Sequence, residues 1–133
     1  MTRRLFLSFV VAGICLASRG AAAHHSFAAT YLPDQMVTVR GEIQQVLFRN
    51  PHSFIRLVVR DADGAQLRYA VEWVGAAQLG TDGITEGTLK PGDIVVVTGN
   101  PGRNAADHTI RMNSLYRPKD GFTWSARPDK GAN

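Results

Sequence analysis

The stretch SFIRLVVRDADGAQLRYAVEW, Ser53–Trp73, decides the fold class. Ile55, Leu57 and Val59 alternate with Arg56 and Arg60, and after the turn Leu67, Tyr69, Val71 and Trp73 alternate with Arg68 and Glu72. A period of two turns one set toward a core and the other toward solvent, which is the pattern of two half-buried strands. Between them DADG, Asp61–Gly64, is a hairpin turn. Aspartates there bond their own backbone, and glycine takes a positive φ without steric cost.

The same alternation extends outward. In VTVRGEIQQVLF, Val37 to Phe48, residues Val37, Val39 and Ile43 share one face and Arg40, Glu42 and Gln44 the other. Gly41 in the middle predicts a bulge or a sharp bend. Gly75 to Leu89 is rich in Gly and Thr, with room for at most one helical turn around Ala76 to Leu79. LKPGD then turns into a fourth strand, Ile94 to Gly99, and NPGRNAAD is a loop before a fifth, His108 to Tyr116. Three strands, an interruption and two strands are the order of an OB-fold barrel. Closure also removes the exposed edges that five loose strands would present. The expectation is therefore an all-β, small five-stranded OB-fold-like barrel over residues 37–117. An N-terminal extension over 24–36 precedes it, and a loosely ordered tail over 118–133 follows. An open β-sandwich is the alternative, disfavoured by so few strands.

Residues 1–23 read as a cleaved signal peptide: basic MTRR, an apolar run from Leu5 to Ala17, then Ala21-Ala22-Ala23. The run falls well short of the roughly 20 residues that span a bilayer. No stable membrane anchor is expected. TRRLFL, Thr2 to Leu7, resembles a twin-arginine export signal, with an ordinary basic start as the alternative. Either route leads to the periplasm or outside the cell. Ile14 before Cys15 argues against lipidation.

Cleavage changes the charge argument. Arg3, Arg4 and Arg19 leave with the leader, so twelve Lys and Arg remain against eleven Asp and Glu. The strong basic footprint of a nucleic-acid binder is gone, and no nucleic acid is expected as partner. The single cysteine leaves too. Disulfides, thiolate catalysis and Cys-ligated zinc are excluded for the mature chain.

The four histidines are the first candidate site. A cut after Ala23 makes His24 the first residue. Its amine and imidazole would chelate one metal, and one further imidazole would complete the T-shaped histidine brace that suits copper. A cut after Ala22 puts His24 second and His25 third. A third-position histidine wraps Cu(II) in amine, two amides and imidazole. The alternative is a polar, frayed terminus. His52 follows Asn50-Pro51 in the first loop, and His108 ends the loop between strands four and five. In an OB-fold these loops flank one binding surface. The plainer readings are a turn residue for His52 and an exposed strand end for His108.

A second constellation is the outward set Arg40, Arg56, Arg60, Arg68 and Arg111, with Glu42 and Glu72 among them. On a curved sheet they could line a groove for an anionic glycan or phosphate. The competing reading is a solvated face laced with cross-strand ion pairs. No catalytic set stands out: Ser53 and His52 are adjacent and would point to opposite faces. No nucleophile elbow, metalloprotease helix, phosphate loop or dinucleotide fingerprint is present.

AHHSFAATY after the leader, VTVRGEIQQVLFRNPH, DADG and LKPGDIVVVTGNPGRN together resemble a family of small exported bacterial proteins catalogued as a domain of unknown function. The likeness covers nearly all of the mature chain, and HHSF, NPH and LKPGD are its most specific parts. It implies a periplasmic OB-like barrel and no established activity. It supports His24, His25 and His52 and does not extend to His108. After strand three this chain has VGAAQLGTDGIT where the resemblance leads one to expect a GSPN-type segment. The expected function is a monomeric, non-enzymatic periplasmic binding protein holding copper or another divalent metal through His24, His25, His52 and His108. The alternative is a protein or glycan interaction module that uses the arginine-bearing face.

Overall fold

The structure is a computed structural model that describes residues 27–127. The leader expected over 1–23, together with His24 and His25, lies outside the described residues, as do 128–133. The chain divides into two compact units, Met1–Thr30 and Tyr31–Asn133. Residues 27–30 of the first are helical. The second unit carries the barrel.

Its strands are β1 (Val37–Leu47), β2 (Phe54–Arg60), β3 (Gln66–Glu72), β4 (Ile94–Pro101), β5 (Thr109–Arg117) and β6 (Phe122–Ser125), with helix α1 (Ala76–Thr81) between β3 and β4. They form one sheet in the order β3-β2-β1-β4-β5-β6. A parallel pairing of β3 with β5, Ala70↔Thr109 to Glu72↔Arg111, closes the first five strands into an OB-like barrel. The hairpin lies where its turn chemistry puts it: Asp61 Oδ1 accepts from the backbone N–H of Asp63 and Ala65 at 2.9 and 2.8 Å.

Alternation sets the core. Ile43, Ile55, Leu57, Val71, Trp73, Val95, Val97 and Ile110 are buried from five strands, and Leu79 of α1 joins them. At about 25 cal/mol per Å² of apolar surface, this burial is the main force closing the barrel. Gly41 is not the site of the bulge. The β1–β2 ladder begins at Gly41↔Val59, and its register shift falls between Ile43 and Gln45. A Cβ at position 41 would lie 2.7 Å from the Val58 carbonyl oxygen, so glycine there allows close approach of two strands.

The region read as a loose tail is ordered further than expected. β6 pairs with β5 from Arg117↔Phe122 to Ser114↔Ser125. Trp124 is buried and meets Trp73 edge-on, with ring centroids 5.4 Å apart at 82°. The Gly, Pro and Lys around it gave a loop-like composition, but one aromatic side chain carries enough apolar area to hold a short strand. Asp93, the last residue of LKPGD, is buried on the same side and accepts from Arg117 Nη1 at 2.7 Å.

Candidate functional site: an arginine face and a histidine–glutamate cluster

Arg40 of β1, Arg56 and Arg60 of β2 and Arg68 of β3 are exposed on the outer face of the barrel. The register orders them. Arg56 lies opposite Ala70, Arg68 opposite Val58 and Arg60 opposite Gln66. Arg40 pairs with Val96 of β4 just before the β1–β2 ladder begins at Gly41↔Val59, and it lines one cleft with Arg60. Two adjoining clefts follow this path. One of about 440 Å³ takes in Arg40, Glu42, Gln44, Val58 and Arg60, and one of about 350 Å³ takes in Gln44, Arg56, Gln66, Arg68, Tyr69 and Asp107.

The cross-strand ion pairs weighed from the sequence are not found on this face. Among the described residues, none of Arg40, Arg56, Arg60 and Arg68 has an ion-pair partner. Glu42 sits opposite Val58 and accepts from the Gln44 amide at 3.4 Å. Glu42 and Asp107 line these clefts without pairing with the four arginines, so the face stays net positive and can still take a counter-charge from a ligand.

Arg111 belongs elsewhere. β5 brings it beside Glu72, and its Nη1 donates to Glu72 Oε1 at 2.7 Å. His52 Nδ1 lies 2.7 Å from the same oxygen and 2.8 Å from Arg111 Nη1. With the proton on Nδ1, both groups donate to the one carboxylate oxygen and Nε2 is the acceptor; with it on Nε2, Nδ1 accepts from Arg111 instead. Tyr31, buried ahead of β1, donates its hydroxyl to the other oxygen, Oε2. Burial first, then the Glu72 hydrogen bond and charge, push the Tyr31 hydroxyl far above the usual phenol range, against a smaller pull from Arg111. Tyr31 therefore remains a donor at any physiological pH.

Loop geometry fixes His52. The Asn50–Pro51 peptide is cis, and the Asn50 Oδ1 accepts from the Ala77 N–H at 3.0 Å. That bond caps α1, whose own cap residue, Gly75, has no side chain to do it. The Ser53 hydroxyl donates to the Arg49 carbonyl at 3.1 Å. Beside His52 is a cleft of about 340 Å³ walled by Arg49, Pro51, Phe54 and Glu72. The Arg49 guanidinium covers the Phe54 ring at 5.2 Å.

His108 takes a different role. It ends a 3₁₀ turn (Ala105–Asp107) in the left-handed region at φ 46° and ψ 50°, its carbonyl accepts from Ala70 N at 3.0 Å, and its ring lies on Tyr69 at 5.0 Å. Tyr69 and Glu72 are three residues apart on β3, about 10 Å along the strand. An odd spacing also turns them to opposite faces of the strand, so the two imidazoles do not share a partner. Among the described residues no group of three or more His, Cys, Asp or Glu side chains is placed to hold a metal ion.

Sequence reasoning singled out His52 and Arg111 but did not join them, because a parallel β3–β5 pairing leaves no local pattern. It passed over Tyr31 and Arg49. Both stand in quoted stretches, at the end of AHHSFAATY and in FRNPH, and tyrosine in an otherwise small-residue run is the signal that could have found the first.

Among curated proteins none matches the chain. A solved structure that shares its fold is the small single-stranded DNA-binding protein from Streptomyces coelicolor, 24% identical, with a TM-score of 0.50 over 68% of this chain and 99% of that one. The likeness is one of fold. The residues that build the cluster, from Tyr31 through the NPH loop to Arg111, all fall within one matched segment. Residues 12–111 match the Family of unknown function (DUF6152), and the chain belongs to that family.

Proposed function

We propose that this chain is an exported, non-enzymatic binding protein of the periplasm that holds an anionic ligand on the outer face of β1–β3. The observation that carries the reading is four exposed arginines on one sheet face, none ion-paired among the described residues. A structural salt-bridge face would have matched them with acids. A guanidinium fork suits carboxylate, sulfate and phosphate oxygens. The leader-like start over 1–23 is the basis for export. Retention on heparin tests the function. The chain is expected to bind at low ionic strength and to release as salt screens the face. Arg56→Gln with Arg60→Gln should weaken binding by about tenfold or more. Equal retention of the double variant would refute an arginine-face site.

A second reading, copper binding by the freed terminus, is favoured by His52. With the proton on Nδ1, that atom engages Glu72 and leaves Nε2 as the available donor, the arrangement that metal-binding imidazoles use. His24 and His25 lie outside the described residues and enter on sequence alone. Native mass spectrometry of the exported protein reads the mature start and any bound copper together. A start at Ala23 or His24 with one copper, lost below pH ~6.5 as imidazoles protonate, is the expected result. His52→Ala and His25→Ala should each weaken it, and unchanged copper in both variants would remove the proposal.

A further inference from the structure

The class of anion can be narrowed from the same face, and this step rests on the anion-binding function proposed above. The arginines form a staircase. Arg68 is the diagonal neighbour of both Arg56 and Arg60 across the β2–β3 ladder, a spacing of about 7–8 Å. Arg40 of β1 lines the same cleft as Arg60. Along β2 the path runs from Arg56 to Arg60, about 13 Å. Half-buried Val58 is its floor, and Gln44, Gln66, Glu42 and Asp107 line the same clefts, the carboxylates leaving the four guanidiniums in excess.

Three observations separate the ligand classes. Stacked bases need open aromatic rings. The two rings nearest the path are engaged, Phe54 beneath Arg49 and Tyr69 against His108. A phosphate polymer also calls for a strongly basic protein. Without its leader this chain is nearly balanced, with twelve basic against eleven acidic residues. Finally, interleaved Gln amides offer both donors and acceptors, which match hydroxyl groups rather than a bare phosphate backbone. We infer that the path takes a linear acidic glycan. Arginine forks grip its carboxylates, Gln44 and Gln66 bond its hydroxyls, and Val58 supports the apolar edge of a ring.

The test is calorimetric titration of the full chain with oligogalacturonate, a neutral maltooligosaccharide and a dT oligonucleotide. Saturable binding of oligogalacturonate is expected, with dT at least about tenfold weaker and no heat from the neutral sugar. Arg68→Gln, at the centre of the staircase and exposed, should weaken oligogalacturonate by about tenfold while the circular dichroism spectrum stays unchanged. Tighter binding of dT with the same dependence on Arg68 would overturn the glycan inference and leave the anion-binding function standing. Binding that ignores Arg68→Gln, or no binding of either anion, would overturn both.

Discussion

Asp93→Ala is expected to remove a large part of the barrel's stability, about 3–5 kcal/mol. The residue is buried, 5% exposed, at the joint where the LKPGD turn meets β5 and β6. Its Oδ2 accepts from Arg117 Nη1 at 2.7 Å and from the Lys90 N–H at 3.1 Å, and Lys119 Nζ donates to Oδ1. Arg117 is itself buried, 9% exposed, and gives a further bond to the Thr88 carbonyl at 2.7 Å. Alanine would leave that guanidinium in the interior with only the half-exposed Asp120 as counter-charge. A domain of this size has about 5–15 kcal/mol in total, so urea unfolding should show a large fall in midpoint. Asp93→Asn keeps acceptor capacity and should lose less. The pH dependence follows from the same contacts. Burial alone would raise this carboxyl, but the hydrogen bonds from Lys119, Arg117 and Lys90 and the Arg117 charge outweigh it and hold the group at about 2, against an ordinary 3.8. A depressed folded value means the contribution, about 2 kcal/mol, is complete above the ordinary value and is lost as pH falls from about 4 through about 2. A midpoint that does not move in Asp93→Ala, or wild-type and variant curves with the same acid limb, would show the buried pair to be dispensable.

Why the barrel was legible and the cluster was not is clear from individual residues. Ile55, Leu57 and Val59 announce β2 because burial has the period of the strand itself, and DADG announces its turn by local chemistry. Glu72 gives no such sign. In sequence it is one more outward acid beside Arg68, and only the parallel register with Arg111 and the path of the NPH loop make it the meeting point of three side chains. Asn50 is similar, since the helix end it caps lies 27 positions away. Trp124 was missed for another reason. A four-residue strand is too short for a period to show, and the residues beside Trp124 are Thr123 and Ser125. Gly41 was read as a bulge or a sharp bend; the bulge falls between Ile43 and Gln45, and Gly41 pairs with both β2 and β4, a close approach that only the neighbouring strands reveal.

Gly99→Ala is the second large effect, and it joins the fold to the site. β4 and β5 shift register between Thr98 and Gly99, and beyond the shift Gly99 lies opposite Met112 and Asn100 opposite Arg111. A Cβ at position 99 would fall 2.1 Å from the Arg111 carbonyl oxygen and 2.7 Å from Ile110 Cγ2. The first contact is with backbone in a strand that is paired on both sides, β4 on one and β3 on the other, so no side-chain rotation relieves it. Either the ladder opens or β5 moves away. Overpacking a core ordinarily costs about 1–3 kcal/mol through side chains that yield, and backbone that cannot yield should place this substitution at or above the upper end. Movement of β5 also carries Arg111 from Glu72, which takes the partner from the oxygen that His52 shares. Arg111→Met separates the two consequences: it removes the guanidinium with the ladder intact and should cost only about 2 kcal/mol, as expected for a hydrogen bond to a charged group. Urea midpoints therefore rank wild type above Arg111→Met above Gly99→Ala. Amide hydrogen exchange at Ile110 and Met112 should quicken in Gly99→Ala and remain slow in Arg111→Met. Were Gly99→Ala as stable as wild type, β4 and β5 could not approach as closely as the register requires, and Arg111 would have no fixed route to Glu72.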